Sequence, residues 1–240
     1  MAAKNSNIIN WENVLAHSKT FQDQKPTKWA FIEEFLVRDF YEKLYETYPK
    51  KDDVWIFRSS ADKSSHVKLW GTETINVNGA GTSTATDVED TNFSESWNQF
   101  HHCLFSDEFF SNIRKFSGVP VNRLKEYSFR LLTRGGYQLP HIHNVGPSTL
   151  IIMLFFSKNW KKGDPGGTYI TTEEDESKMI FEPCNLDNSA IIFQDGPHAG
   201  HGVRYITKDI ERRSVQIYLE KYSQETGWSA EPVKRELKEI

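Results

Sequence analysis

Short runs of β-forming residues alternate with turn residues through the C-terminal half of the chain, and this pattern constrains the fold most. The runs cover residues 127–133, 137–143, 149–157, 168–172, 179–182, 190–194, 202–206 and 213–220. Gly- and Pro-containing breaks separate them, including Gly135-Gly136 and Asp195-Gly196-Pro197. Many short strands with frequent turns are typical of a sandwich, a jelly roll or a small barrel. The sequence therefore predicts a mainly β core of about eight strands.

The N-terminal half has a pattern of residues that predicts mainly helices. Residues 29–35 (WAFIEEF) predict one strand, and apolar residues at helical spacing predict helices over 37–48, over 97–104 and after Ser106, which is a good N-cap residue. The segment 71–90 is rich in Thr, Gly and Asn and predicts a long loop, and loops of this length are usually functional lids or partly disordered. We expect one domain over 1–240. Residues 1–118 are expected to form supporting helices and the lid loop 71–90, residues 119–222 the β core, and residues 223–240 a C-terminal tail.

Composition excludes several classes of protein. The 240 residues are 38% hydrophobic and 26% charged with a net charge of −4, which is ordinary globular composition and gives no support for nucleic-acid binding. The longest apolar run, 150–156, is too short to cross a bilayer, and the first residues lack the apolar stretch of a signal peptide. The two cysteines do not form a disulfide framework, so we expect a cytoplasmic protein. From the charge and the apolar runs, we expect that it binds neither membranes nor nucleic acid.

Three histidines in the β-rich half are candidate metal ligands. His141 and His143 are two residues apart, so in a strand both side chains point to one face. His201, at the start of another predicted strand, is the natural third ligand. A histidine at a strand end is also often a hydrogen-bonded surface residue, and spacing alone leaves both readings open.

A pair of arginines begins the last predicted strand. Arg213 alternates in register with Val215, Ile217 and Leu219, and an arginine on an apolar face is costly to bury unless a carboxylate meets it. That carboxylate could belong to the protein or to a small acidic ligand; alternatively, Arg213 extends to solvent from the strand start. We expect its neighbour Arg212 to be the solvent-exposed member of the pair.

Four motifs together resemble the iron(II)- and 2-oxoglutarate-dependent oxygenases, in their prolyl 4-hydroxylase-like branch. In chain order they are GGYQLPHIHN, GDPGGTYI, HGVRYI and ERRSVQIYL. The family shows a His-x-Asp motif where this chain has His141-Ile142-His143, a distal histidine where it has His201, and a basic residue that binds 2-oxoglutarate about where it has Arg213.

This resemblance implies a double-stranded β-helix of the jelly-roll or cupin kind and a catalytic site that holds Fe(II) and 2-oxoglutarate. It implies that His141, His143 and His201 are the catalytic metal ligands. It further implies that Arg213 pairs with the 2-oxoglutarate carboxylate, with Tyr137 or Gln138 also near the cosubstrate. The implied reaction uses dioxygen, releases succinate and CO2, and hydroxylates a C–H bond of a small molecule or a peptide residue.

His143 departs from the family pattern, because an imidazole replaces a carboxylate and removes one negative charge from the metal ligands. Three alternatives follow. The chain could be a three-histidine dioxygenase that does not use 2-oxoglutarate, or a catalytically silent metal-binding barrel. In the third, His143 turns away and Asp195 or His198 supplies the ligand. Imidazole ligands also suit zinc, nickel or copper.

Overall fold

The computed structural model describes residues 8–70, 85–143 and 148–222. Its helices are α1 (Trp11–Ala16), α2 (Ser18–Asp23), α3 (Arg38–Glu46), α4 (Glu95–Cys103) and α5 (Asp107–Ser117). Its strands are β1 (Trp29–Glu33), β2 (Ile56–Ser60), β3 (Lys63–Leu69), β4 (Arg123–Leu132), β5 (Tyr137–His141), β6 (Thr149–Phe156), β7 (Thr168–Thr171), β8 (Met179–Phe181), β9 (Asp187–Gln194), β10 (Gly200–Val203) and β11 (Arg212–Glu220). None of the helices in these ranges is long and apolar enough to cross a membrane.

The eight strands β4–β11 form two four-stranded antiparallel sheets. One has the order β9-β6-β11-β4 and the other the order β5-β10-β7-β8, while β1 extends the first sheet beyond β9. Consecutive strands alternate between the sheets except for β7 and β8, which pair with each other in the second sheet, and this is the winding of a double-stranded β-helix. The prediction of a mainly β fold with this core is confirmed.

The β2–β3 hairpin joins the two sheets. β3 pairs with β4 through His66–Leu69 and with β5 through Lys63 and Ser64, so one strand bridges the open corner between them. The sequence analysis did not predict this hairpin or the short helices α1 and α2. β2 is largely exposed, and in β3 only Val67 and Leu69 supply buried apolar residues, which is too short an alternation to mark a half-buried strand.

Both faces of the first sheet are buried. β6 is buried along its whole length, as its continuous run of apolar residues requires. One face carries Leu150, Ile152 and Leu154, which pack with the aromatic side chains of the helices. The opposite face, with Ile151 and Met153, points toward the second sheet. A cavity therefore lies between the sheets, and the helices stiffen the back of the first one.

Three of the predicted helices and the Ser106 N-cap are confirmed, because the Ser106 hydroxyl accepts a hydrogen bond from the Phe109 amide. Most of the predicted lid segment, residues 71–84, lies outside the described residues.

Candidate metal centre

The three predicted histidines come together at the ends of two neighbouring strands. His201 on β10 lies directly opposite His141 on β5 in the antiparallel register, and His143 follows two residues after His141. The candidate ligand nitrogens all lie within 4.8 Å of one another. Within the described residues, this trio is the one group of His, Cys, Asp or Glu side chains with such a spacing.

Backbone carbonyls orient two of the rings. Nδ1 of His141 lies 3.1 Å from the carbonyl oxygen of Leu139, and Nδ1 of His201 lies 3.1 Å from that of Ala199. A carbonyl oxygen only accepts, so each Nδ1 carries the proton and donates it. The lone pair of each ring is therefore on Nε2, which is the nitrogen available to a metal.

The spacing of the nitrogens fits a shared metal ion. Nε2 of His143 lies 3.2 Å from Nε2 of His141. Two lone pairs at this distance repel unless a cation or a proton lies between them. Metal–nitrogen bonds of about 2.0–2.1 Å place neighbouring ligand nitrogens roughly 3 Å apart, so the observed separation is that of two ligands of one ion.

The protein environment keeps the rings of His141 and His201 neutral. Burial lowers the pKa of His141, and the neighbouring His143 lowers it further. Burial also lowers the pKa of His201 well below its usual value, with further contributions from His141 and His143. Because metal binding requires deprotonated imidazole, this environment favours a metal over protons at neutral pH.

A buried carboxylate supports His143 from behind. Nδ1 of His143 lies 3.4 Å from Asp195 Oδ2, its hydrogen-bond partner, and 3.2 Å from Oδ1, and the Asp195 side chain is 1% exposed. Oδ2 also accepts hydrogen bonds from the Tyr218 hydroxyl at 2.8 Å and from the Thr149 hydroxyl at 3.2 Å. A carboxylate that holds the far nitrogen of a histidine fixes the ring and raises its basicity toward a metal.

The alternative ligands are placed elsewhere. His198 is exposed and does not belong to the histidine trio. Asp195 contacts His143 on the side away from His141, so His143 faces the trio instead of turning away. The residues present fit a metal ion with three imidazole ligands and a carboxylate one layer behind them.

A cavity of about 600 Å³ adjoins the trio. It lies between the two sheets, with Ile151, Met153 and Phe193 on one wall and His141 and His201 on the other. This volume is within the roughly 300–1,000 Å³ of typical small-molecule sites. The cavity therefore has room for a ligand beside the histidines.

Arg212 projects into this cavity and is 1% exposed. Its guanidinium donates to the carbonyl oxygen of Gly166 at 2.9 Å, to the Thr168 hydroxyl at 2.8 Å and to the Ser214 hydroxyl. The carbon at the centre of the guanidinium lies 4.9 Å from the centre of the Phe155 ring. All of these partners are neutral.

Arg212 forms no ion pair with any carboxylate of the described residues. Burial lowers its pKa to about 9, and Arg130 contributes to this shift. That pKa leaves the side chain positively charged at neutral pH. A buried cation with only neutral partners is costly, and the cost falls when an anion binds beside it. The site therefore suits a small carboxylate ligand.

Arg213, which the sequence analysis placed at the ligand, lies elsewhere. It is half-buried on the helix side of β11, pairs with Glu211 at 2.5 Å and stacks over the Tyr48 ring. The predicted face is the one with Val215, Ile217 and Leu219, but these residues pack against the helices and not against the cavity. The expectation that Arg212 is solvent-exposed is wrong. Because both faces of this strand are buried, alternation could not show which one lines the cavity.

The two other residues that were predicted to lie near the cosubstrate point to opposite faces of β5. Gln138 lines the cavity, and its Nε2 lies 3.3 Å from Nε2 of His141. Tyr137 points to the opposite face of β5, where its hydroxyl donates to the carbonyl oxygen of Ser60 and its ring stacks on Tyr205. Tyr137 is absent from the described cavity lining.

Glycines permit the close approaches that build the site. A Cβ atom on Gly202 would lie 2.4 Å from the Tyr169 hydroxyl and 2.7 Å from the Gln138 carbonyl, so only glycine fits between β5 and β7 beside His201. Gly166, at φ +133°, presents the carbonyl that Arg212 uses. The sequence analysis quoted the GDPGGTYI motif, which contains Gly166, but did not predict this contact.

The fold is similar to solved structures of known oxygenases. A prolyl-4-hydroxylase of Pseudomonas putida is 13% identical, with a TM-score of 0.61 over 89% of this chain and 100% of the other. A 2OG-Fe(II) oxygenase-family oxidoreductase of Burkholderia pseudomallei is 9% identical, with a TM-score of 0.56 over 92% of this chain and 93% of the other. The chain has the fold of the 2OG-Fe(II) oxygenases.

A third similar structure contains a bound peptide. A prolyl hydroxylase of Trichoplax adhaerens, in complex with a hypoxia-inducible-factor peptide fragment, is 14% identical, with a TM-score of 0.56 over 88% of this chain and 89% of the other. No protein-family model and no curated protein matches the chain. The resemblance inferred from the motifs is thus confirmed for the fold, with a His-x-His variant of the motif in the place expected for the metal.

Proposed function

We propose that the chain is a non-haem Fe(II)- and 2-oxoglutarate-dependent dioxygenase that hydroxylates a C–H bond of a small molecule or a peptide residue. His141, His143 and His201 hold the metal, and Arg212 binds the distal carboxylate of 2-oxoglutarate. When bound, the metal and the cosubstrate would supply the oxidising chemistry, and the protein would supply their positions and a cavity for the substrate.

One observation carries this proposal. Arg212 is a buried cation without a carboxylate partner among the described residues, and it lines the same cavity as the three imidazoles. A ligand with a carboxylate at one end and metal-binding oxygens at the other satisfies both features at once. 2-Oxoglutarate has this arrangement, with a carboxylate at one end and a keto acid at the other.

The replacement of a carboxylate by His143 favours a second candidate, a three-histidine dioxygenase in which Arg212 binds the carboxylate of the substrate itself. Asp195 weakens the case for this candidate, because it returns a negative charge to the immediate surroundings of His143. The two candidates differ in what oxygen consumption requires.

Measurement of succinate separates them. Purified protein is incubated in air with Fe(II), 2-oxoglutarate and a reductant, and succinate is quantified with and without the metal. The proposed function predicts metal-dependent succinate that is lost in His141→Ala and His201→Ala and retained in His198→Ala. Oxygen consumption that needs Fe(II) but not 2-oxoglutarate would favour the three-histidine dioxygenase. If the protein binds the metal but shows neither activity, it is a catalytically silent barrel.

A further inference from the structure

The cavity carries more positive charge than 2-oxoglutarate uses. Its lining includes the cations Arg58, Lys63, Lys125, Arg130 and Arg212 but only two acidic residues, Asp62 and Glu126. Lys63 lies 3.5 Å from Asp62, and Lys125 lies 3.6 Å from Glu220, which also pairs with Arg123. The remaining cations besides Arg212 are Arg58 and Arg130.

These two arginines share a single carboxylate. Arg130 donates to Glu126 at 2.7 Å and to the Ser128 hydroxyl at 3.1 Å, and its side chain is 14% exposed. Arg58 forms no ion pair with any described residue. Burial lowers its pKa, and the nearby charge of Arg130 lowers it further, against a smaller opposing effect of Glu126. Two partly desolvated cations beside one carboxylate leave one positive charge uncompensated.

The strand register separates Arg58 from Arg212, while Arg130 lies on the strand next to that of Arg212. Arg130 on β4 pairs with Ser214 on β11, and Arg58 on β2 pairs with Ser65 on β3. Three strand spacings lie between the strands of Arg212 and Arg58, or roughly 14 Å of sheet. One carboxylate held by Arg212 therefore leaves Arg58 for a second anion. The cavity volume also exceeds what a molecule as small as 2-oxoglutarate needs.

We propose that Arg58 and Arg130 form an anion subsite for the primary substrate, which is a small acidic molecule with a carboxylate or a phosphate group. This inference rests on the proposed function, because it assigns the remaining part of the same cavity to the substrate. Glu126 keeps Arg130 in place, and Arg58 supplies the charge that the bound anion neutralises. An arginine fork matches either anion in a bidentate way.

The test is a calorimetric titration of Ni(II)-loaded protein with saturating 2-oxoglutarate. The probes are benzoate, phenyl phosphate and the neutral benzamide. We expect at least one of the two acids to bind, and benzamide to bind roughly tenfold or more weakly, as for the loss of a charge-assisted contact. The acid that binds more tightly identifies the anionic group.

Arg58→Gln is expected to weaken binding of that acid roughly tenfold or more, and Arg58→Lys is expected to restore part of it. Arg134→Gln, at an exposed turn residue outside the described cavity lining, is the matched control and leaves binding unchanged. The proposal is overturned if benzamide binds as tightly as the acids, if neither acid binds, or if Arg58→Gln binds them as the parent does. Should 2-oxoglutarate itself fail to bind, the proposed function fails, and the same titration without it still tests Arg58.

Discussion

Asp195 Oδ1 lies 3.2 Å from Nδ1 of His143, so the carboxylate approaches the candidate metal centre through an imidazole. In the oxygenases that the chain resembles, an aspartate occupies the position of His143. Here a carboxylate lies one residue layer farther from the candidate metal centre. This arrangement predicts that His143 and Asp195 act as a pair.

The first prediction concerns Asp195 as a positioning residue. Asp195→Asn removes the charge that orients His143, and metal affinity is expected to fall roughly 10- to 100-fold, as for other carboxylates behind metal-binding histidines. The measurement is Ni(II) competition against a chromophoric chelator. Asp164→Asn, in a surface pair with Lys208, is the control and is expected to bind as the parent does. Equal affinity of Asp195→Asn and parent would remove Asp195 from the metal site.

The second prediction concerns the coupling of the two positions. In His143→Asp, a carboxylate faces Asp195, and like charges at close range disfavour the ionised forms. Asp195→Asn is therefore expected to weaken metal binding in the parent but to strengthen it in the His143→Asp background. The four proteins of this double-mutant cycle are compared by the same chelator competition. An effect of the same sign in both backgrounds would show that the residues do not share the site.

The third prediction concerns the ligand trio. His141→Ala and His201→Ala each remove one nitrogen of the cluster, and metal stoichiometry after dialysis is expected to drop to near zero in both. His198→Ala, three residues before His201 but exposed, is expected to retain the metal. Full metal content in either of the first two variants would contradict the assignment.

The fourth prediction concerns acid stability and His101, which is remote from the metal. This side chain is 2% exposed, stacks on Trp70 and has no hydrogen-bond partner for Nε2 among the described residues. Burial lowers the pKa of His101 to about 4 from its usual 6.5. The unfolded chain therefore binds more protons between these values, and stability is lost as the pH falls below 6.5.

The expected loss from His101 is roughly 2 kcal/mol between pH 7.5 and pH 5. His101→Phe keeps the stacking and removes the titration, so its free energy of unfolding in urea should fall less over this range. His198→Gln, which alters an exposed side chain elsewhere in the chain, should fall as much as the parent. Identical pH dependence of His101→Phe and parent would sink this explanation.

Much of the fold followed from the sequence because its strands are short and separated by strong turn residues. Seven of the eight predicted β runs begin within three residues of the observed strands; the first, which the structure starts at Arg123, begins four residues earlier than predicted. The β2–β3 hairpin could not be predicted from the sequence, because the β2 side chains face either the solvent or, as Arg58 does, a polar cavity. Neither environment requires the alternating apolar residues by which a strand is recognised.

Part of the candidate site could be predicted from the sequence. The histidines were found because ligand chemistry restricts residue type and spacing. Arg212 lines the cavity and Arg213 does not, which the sequence could not show because β11 is buried on both sides and alternation does not reveal which face meets a cavity. Asp195 was considered only as a direct ligand, because its contact with His143 joins elements that are distant in the chain.

The most direct test of the account is a calorimetric titration of 2-oxoglutarate into Ni(II)-loaded parent, Arg212→Met and Arg213→Met proteins, with melting temperatures measured in parallel. The account predicts that Arg212→Met loses roughly 10- to 100-fold in affinity or more, while Arg213→Met binds as the parent does. It also predicts little loss of stability in Arg212→Met, because an apolar side chain of similar length replaces a buried unpaired cation. Parent-like affinity in Arg212→Met, or loss only in Arg213→Met, would contradict the account.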